Sequence, residues 1–436
     1  MLVSSAVRHG FGNRAPTKIS RLHPRQRHGA ARVALLLAAA LIAGCGGPPP
    51  TITFADVESP AAAGSLAPHL AATPTGVAVM SWLEPATDEA YAVRLSTLGA
   101  DGWSAPGVVA QGSDWFVNWA DVPSVVPMTA DTWAAHWLVK RPGGTYAYDI
   151  ALAISTDRGA DWAAPILPHR DGTKTEHGFL SLFPWDDTIG AIWLDGRNMS
   201  PDGGGAPPGV DSDGGMSLRY ARLAVDGAIL DEGEIDGLVC ECCQPDVAMT
   251  AAGPVLTYRD RSPAEVRDIA VTRYVDKGWT EPATVSDDHW KIAGCPVNGP
   301  AIDAQDDVVV VAWYGAPDRQ RRVKLAWSRD SGATFSAPVV VAEDGTRGRV
   351  DVVLIADTLA AVSWVTRTGD DAAQLQVRQV SVQGDMSPVQ VIADSQYSRS
   401  SGFPQMINAG DRLVFAWPEA GGTSRVLTRV ANLTGG

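Results

Sequence analysis

Apolar residues along this chain come in short bursts. A run of Val, Ala, Ile or Leu ends on an aromatic and gives way to Gly, Pro and Asp, as in Val308-Val309-Val310-Val311-Ala312-Trp313 and Val414-Phe415-Ala416-Trp417. Runs of that length between turn formers read as strands. No long segment carries the 3.6-residue period of a helix. The bursts also recur. The first short strand of each unit begins at Pro68, Pro123, Phe179, Pro245, Pro300, Val350 and Pro404. An aromatic follows 13 or 14 residues later, at Trp82, Trp137, Trp193, Tyr258, Trp313, Trp364 and Trp417. A later proline closes most units: Pro106, Pro165, Pro282, Pro338 and Pro388. A period of 50–56 residues with several strands per unit, and one longer unit, is the signature of a β-propeller. The pattern therefore predicts an all-β chain folded as a propeller of seven four-stranded blades.

Two details refine that picture. After Trp417 there is room for only one more strand, Ser424 to Val430. The segment Thr51 to Val57 is expected to add the outer strand of the seventh blade and close the ring, which removes free sheet edges. The longer third unit holds Gly196 to Met216, rich in Gly, Pro and Asp. It reads as an inserted polar loop, with a calcium site as the alternative.

The front of the chain is of another kind. Arg8, Arg14, Lys18, Arg21, Arg25, Arg27 and Arg32 precede an apolar run from Val33 to Ile42, with no acid among them. This is the layout of a signal peptide, residues 1–44, and the run is short of the ~20 residues a membrane span needs. Ile42-Ala43-Gly44-Cys45 resembles a bacterial lipobox, which implies lipidation at Cys45, a linker over 45–50 and an outer-membrane lipoprotein. The single propeller domain then occupies 51–436. The whole chain has net charge −14; setting aside the seven basic residues at the front lowers it by seven, to −21. That charge excludes nucleic acid and other polyanion surfaces as partners, so an anionic ligand needs a local arginine pocket.

Two units carry a tighter motif. Ser155-Thr156-Asp157-Arg158-Gly159-Ala160-Asp161-Trp162 and Ser328-Arg329-Asp330-Ser331-Gly332-Ala333-Thr334-Phe335 both read S-x-D-x-G-x-x-[WF]. This resembles the Asp box of sialidases and other BNR-repeat proteins. The resemblance implies that these residues build a structural turn on the face away from the active site. It also brings in a six-bladed, sialidase-type ring as the alternative architecture.

In a propeller the chain enters each inner strand from the ligand-binding face. Counting back from the strand starts therefore lists the mouth. Two residues before them stand Leu66, Asp121, His177, Cys243, Asn298, Gly348 and Gly402; three before, Glu176, Cys242 and Arg347; five before, Cys240, Cys295 and Arg399 among others. The sialidase resemblance implies three arginines on a sugar carboxylate, a tyrosine nucleophile with a glutamate helper, and an aspartate acid/base. The matching candidates are Arg347, Arg349 and Arg399; Tyr397 or Tyr258; Glu176 or Glu265; and Asp121. The family's Arg-Ile-Pro motif is absent from the first blade, where Ser65-Leu66-Ala67-Pro68-His69 stands instead. On this reading the protein is an exo-α-sialidase-type glycoside hydrolase acting on an anionic glycan.

A second reading rests on the cysteines. Cys240, Cys242, Cys243 and Cys295 converge on the same mouth with His177 close by, and thiolates with imidazole suit copper or zinc. The alternative for the same residues is disulfide bonding, with Cys240 to Cys295 as the natural inter-blade bridge. A third reading is a monomeric, non-catalytic scaffold on the outer membrane that binds a glycan, a small anion or a partner protein, with Trp119, Trp290 and Phe403 as stacking surfaces. Its only membrane contact would be the lipid anchor.

Overall fold

The computed structural model describes residues 49, 51–199, 215–419 and 423–433. The signal-peptide reading, Cys45 and most of the inserted loop after Gly196 lie outside the described residues. The rest is seven antiparallel blades. The inner strand of each blade packs against the inner strands of its two neighbours, all the way round. Those inner strands are Leu66–Ala72, Ser124–Pro127, His177–Trp185, Asp246–Thr250, Ala301–Gln305, Thr346–Ala356 and Gln405–Asn408. They define blades I to VII. In blade II the fourth strand is reduced to one bridge, Leu152 to Ile166. In blades I and IV the outer position is shared by two short pieces. No described helix is long and apolar enough to cross a membrane.

Ring closure follows the expected route. Thr53–Asp56 pairs with Arg425–Asn432 as the outermost strand of blade VII. The first and last described strands thus finish one sheet and close the ring.

The repeated aromatic sits on the second strand of each blade and fills the space between blades. Trp82, Trp193, Trp313, Trp364 and Tyr258 are almost wholly buried. A buried indole N–H needs an acceptor, and residue i+2 on the same strand face often supplies it. Trp82 donates to Glu84 at 3.1 Å, Trp193 to Asp195 at 2.7 Å and Trp364 to Thr366 at 2.8 Å. The two Ser-x-Asp-x-Gly segments form one turn twice. The backbone N–H of Gly159 donates to Ser155 Oγ at 2.8 Å, and that of Gly332 to Ser328 Oγ at 2.9 Å. Both glycines have φ near +80°, a region open mainly to glycine.

Neighbouring blades are stitched by carboxylates that accept an N–H from the next inner strand. Asp246 takes Ile302 N–H at 2.9 Å, Asp303 takes Leu354 N–H at 2.7 Å, and Asp351 takes Met406 N–H at 2.6 Å. Asp246 and Asp351 also line the central cavity of about 140 Å³, with His69, Ser124, Ser181 and Gln405. Burial raises Asp246 to about 7 and Asp303 to about 6, and lifts Asp351 well above the usual range. Each of these groups holds its proton more tightly folded than unfolded. Its contribution to stability is therefore complete below about pH 4 and is lost as pH rises through the folded value. Burial pushes His69 down to about 4 and His136 to about 3, which opposes folding only below about 6.5. Between pH 6.5 and 8 the raised carboxyls, Asp121 and Glu176 included, outnumber the lowered thiols Cys240 and Cys295 that pull the other way, so the melting temperature is expected to fall across that interval. A flat or rising profile in differential scanning calorimetry would show that they are not buried as described.

Close approach of blades IV and V depends on Gly299. A Cβ there would lie 2.1 Å from the main-chain oxygen of Gln244, an atom with no rotamer to escape into. Gly299→Ala is expected to cost about 1–3 kcal/mol in chemical denaturation. No measurable loss would mean that the two inner strands do not meet this closely.

Candidate functional site

Every inner strand is entered from the same face, and the entry loops form a mouth. In blades I, III and VI the entry carries a register shift, with Ala67, Phe179 and Arg349 in left-handed conformation. Such bulges re-aim side chains. They also correct the repeat alignment: Gly178, not His177, is the counterpart of Leu66 and Gly348, because the one-residue bulge falls after Gly178. His177 therefore enters the sheet and is fully buried.

The arginine side of the mouth belongs to blades VI and VII. The backbone N–H of Arg349 donates to Asn298 Oδ1 at 2.7 Å, which fixes the bulge. Its guanidinium donates to Ser401 Oγ and to Ser398 O, both at 2.9 Å. It lies 5.3 Å from the Trp119 ring and 5.8 Å from Phe403, which stack on each other at 5.8 Å. Burial without an acid beside it lowers Arg349 to about 10. Arg347 lies over the Tyr397 ring at 4.4 Å, and its buried Nε has no hydrogen-bond partner. Arg399 lies 6.0 Å from the Trp119 ring. Among the described residues no carboxylate pairs with Arg347, Arg349 or Arg399, whereas Arg141, Arg197, Arg261 and Arg267 elsewhere near the mouth are all ion-paired.

Asp121, Tyr148 and Glu176 form a cluster between blades II and III. Tyr148 Oη is 2.9 Å from Asp121 Oδ2 and 2.7 Å from Glu176 Oε1. One hydroxyl proton serves only one of those contacts, so the other oxygen pair needs a proton on a carboxyl. Burial favours that state, raising Asp121 to about 7 and Glu176 to about 8. Asp121 is buried and also accepts Phe179 N–H at 2.8 Å, while Glu176 is only half-buried. Gly178 makes room for the group, since a Cβ there would lie 2.0 Å from Asp121 Oδ2.

Tyr397 and Tyr258, the tyrosines expected beside a glutamate, are placed elsewhere. Tyr397 covers Arg347, and Tyr258 donates to Asp236 at 2.6 Å. Glu265 is bound up with Arg261 and Arg267. Tyr148 was not legible as a site residue. It opens the third strand of blade II, Tyr148–Ser155, where the sequence carries no mouth signal.

Behind Glu176, His169 and His177 stack with centroids 3.9 Å apart among Asp149, Asp171 and Asp195. Arg141 and Arg197 neutralise those acids. His177 Nε2 is 3.1 Å from Asp171 and its Nδ1 3.3 Å from Tyr148 O. It belongs to this network and not to the thiols, which corrects its place beside the cysteines. These donors are near enough to share an ion, but the two guanidiniums already satisfy the carboxylates.

The thiols sit at the entry to blade IV. Cys240 Sγ is 3.0 Å from Cys243 Sγ and 4.0 Å from Cys242 Sγ. The exposed Cys295 approaches Cys242, not Cys240, and all four are free thiols. The expected Cys240–Cys295 bridge is thus not formed: Cys240 is turned inward under Arg267, which donates to its Sγ at 3.3 Å.

No protein-family model matches this chain, and no curated protein matches it by sequence. Its fold resembles solved propellers. The polysaccharide lyase Uly1 is 9% identical with TM-score 0.50, over 82% of this chain and 88% of that one. The phage phi92 endosialidase is 11% identical with TM-score 0.48, over 88% and 70%. The Hadza microbial sialidase Hz136 is 15% identical with TM-score 0.43, over 69% of this chain, which spans 63% of that sialidase. At these identities the likeness concerns the fold alone.

Proposed function

We propose that the protein binds an acidic glycan at the mouth of the propeller and cleaves it there. One observation carries this reading: three guanidiniums at one mouth, Arg347, Arg349 and Arg399, have no carboxylate partner among the described residues, and aromatic rings flank them. A sugar carboxylate supplies the missing charge, with a bidentate hold from a guanidinium, while Trp119 and Phe403 offer apolar ring faces. Glu176, held by Tyr148 and Asp121, takes the acid/base place that the sialidase resemblance gave to Asp121: it protonates the leaving glycosidic oxygen while water attacks the anomeric carbon. Calorimetric titration with sialyllactose, a uronic-acid oligosaccharide and neutral lactose tests the binding. The expected result is affinity for an acidic sugar only, weakening as salt is raised. Equal affinity for lactose would remove the arginines from the argument. Binding without turnover would favour a non-catalytic scaffold.

We also propose, from the lipobox-like Ile42-Ala43-Gly44-Cys45, that the protein is a monomer of the cell envelope tethered at Cys45. Cys45→Ser is expected to move it from the membrane fraction to the soluble fraction. Unchanged fractionation would refute the tether.

A further inference from the structure

The thiol cluster is not used by the glycan reading, and its surroundings are unusual for structural cysteines. Three sulfurs from one loop, Cys240, Cys242 and Cys243, lie within 4.8 Å of one another. The loop joins the outer strand of blade III, Ile229–Val239, to the inner strand of blade IV, Asp246–Thr250. Cys295 reaches Cys242 from the next loop round the ring, at the exposed rim.

Charge is the second observation. Arg259 is buried, and its guanidinium donates only to neutral carbonyls: Asn298 O at 2.9 Å, Arg267 O at 2.7 Å and Tyr314 O at 2.6 Å. No carboxylate pairs with it among the described residues. A buried cation in that position calls for an anion nearby. Arg267, buried on the other side, donates directly to Cys240 Sγ at 3.3 Å. Arg259 therefore leaves a positive charge without a described carboxylate partner behind the sulfurs, beside Arg267, which is also ion-paired with Glu241 and Glu265. Among the described residues no imidazole takes part in the sulfur group.

We propose that Cys240, Cys242 and Cys243 form an all-thiolate site for a soft monovalent metal ion, Cu(I), with Cys295 at its entrance. Three converging sulfurs without oxygen or nitrogen donors suit Cu(I), whereas structural Zn(II) takes four protein ligands. Positive charge at the back of the sulfurs offsets the net negative charge of a copper–thiolate unit and disfavours a bare divalent ion. The metal enters as Cu(I), so no electron is transferred. Sulfur–copper bonds form, and protons still on the thiols pass to solvent.

The test is anaerobic titration of the full chain with Cu(I) against bathocuproine disulfonate, followed by native and denatured intact mass. The expected result is one copper per chain, lost on denaturation. Cys242→Ser and Cys243→Ser should abolish that uptake, and Cys295→Ser should keep it. Arg267→Gln should weaken it by about 10-fold, as loss of an outer-shell partner does. Cys242 is only half-buried, so its variant stays informative if Cys243→Ser fails to fold. Zinc retention that also needs Cys295 would overturn the copper assignment. A deficit of about two mass units per disulfide, with no copper uptake, would overturn the site altogether. Neither result bears on glycan binding, which is read separately.

Discussion

Arg349→Met is expected to weaken binding of the acidic sugar by roughly 30- to 150-fold, the equivalent of about 2–3 kcal/mol. The reason is its place in the mouth. Arg349 is a half-buried guanidinium, lowered to about 10 by burial with no acid among the described residues to restore it. Ser401 and the Ser398 carbonyl hold it from behind at 2.9 Å, and Trp119 and Phe403 flank it. A held cation loses little conformational freedom when an anion arrives. Arg399 is exposed, and Arg399→Ala is expected to cost less, mostly in association rate. Methionine keeps the packing bulk, so the melting temperature serves as control for folding. An affinity within twofold of the unaltered protein would place the sugar carboxylate elsewhere.

Glu176→Gln should reduce turnover by about 10²- to 10⁴-fold while leaving KM nearly unchanged, the pattern of a lost general acid/base. Gln keeps the size of the side chain and removes the transferable proton. The pH profile carries the sign. Burial raises Glu176 to about 8, and the Tyr148 hydroxyl partly offsets this. An acid in that position is protonated below about 8, so the rate falls above it. Tyr148→Phe removes the offset and should move that alkaline limb to higher pH. Because Asp121, Tyr148 and Glu176 share protons over 2.7–2.9 Å, the limb belongs to the trio and not to one residue. Full turnover in Glu176→Gln would end the assignment. A limb that does not move in Tyr148→Phe would confine Tyr148 to packing.

The aromatic spacing and the strand starts were enough to place seven blades and the closing strand, Thr53–Asp56. Both are local facts. A strand announces itself by short apolar runs between turn formers, and a propeller repeats that signal with each blade. The same holds for the two Ser-x-Asp-x-Gly turns, whose hydrogen bonds span only four residues. Cys240, Cys242 and Cys243 could be placed together because one loop carries them. Arg347, Arg349, Arg399 and Asp121 could be assigned to the mouth because entry loops all open on one face.

Which of those residues touch was decided only by the folded ring. A bulge of one residue moved His177 from the mouth into the sheet, and no local pattern in blade III marks it. Tyr148 meets Asp121 and Glu176 across 27 and 28 residues of chain, and Arg259 finds Tyr314 across 55. Such pairings depend on the stagger between blades, which is set by bulges and by close contacts such as Gly299 against Gln244. The chain thus determined its strands, its repeat and the residue types at the mouth by itself. The partners of each charged group were settled by tertiary packing, because burial and distance fix which charges are neutralised and which are left to a ligand.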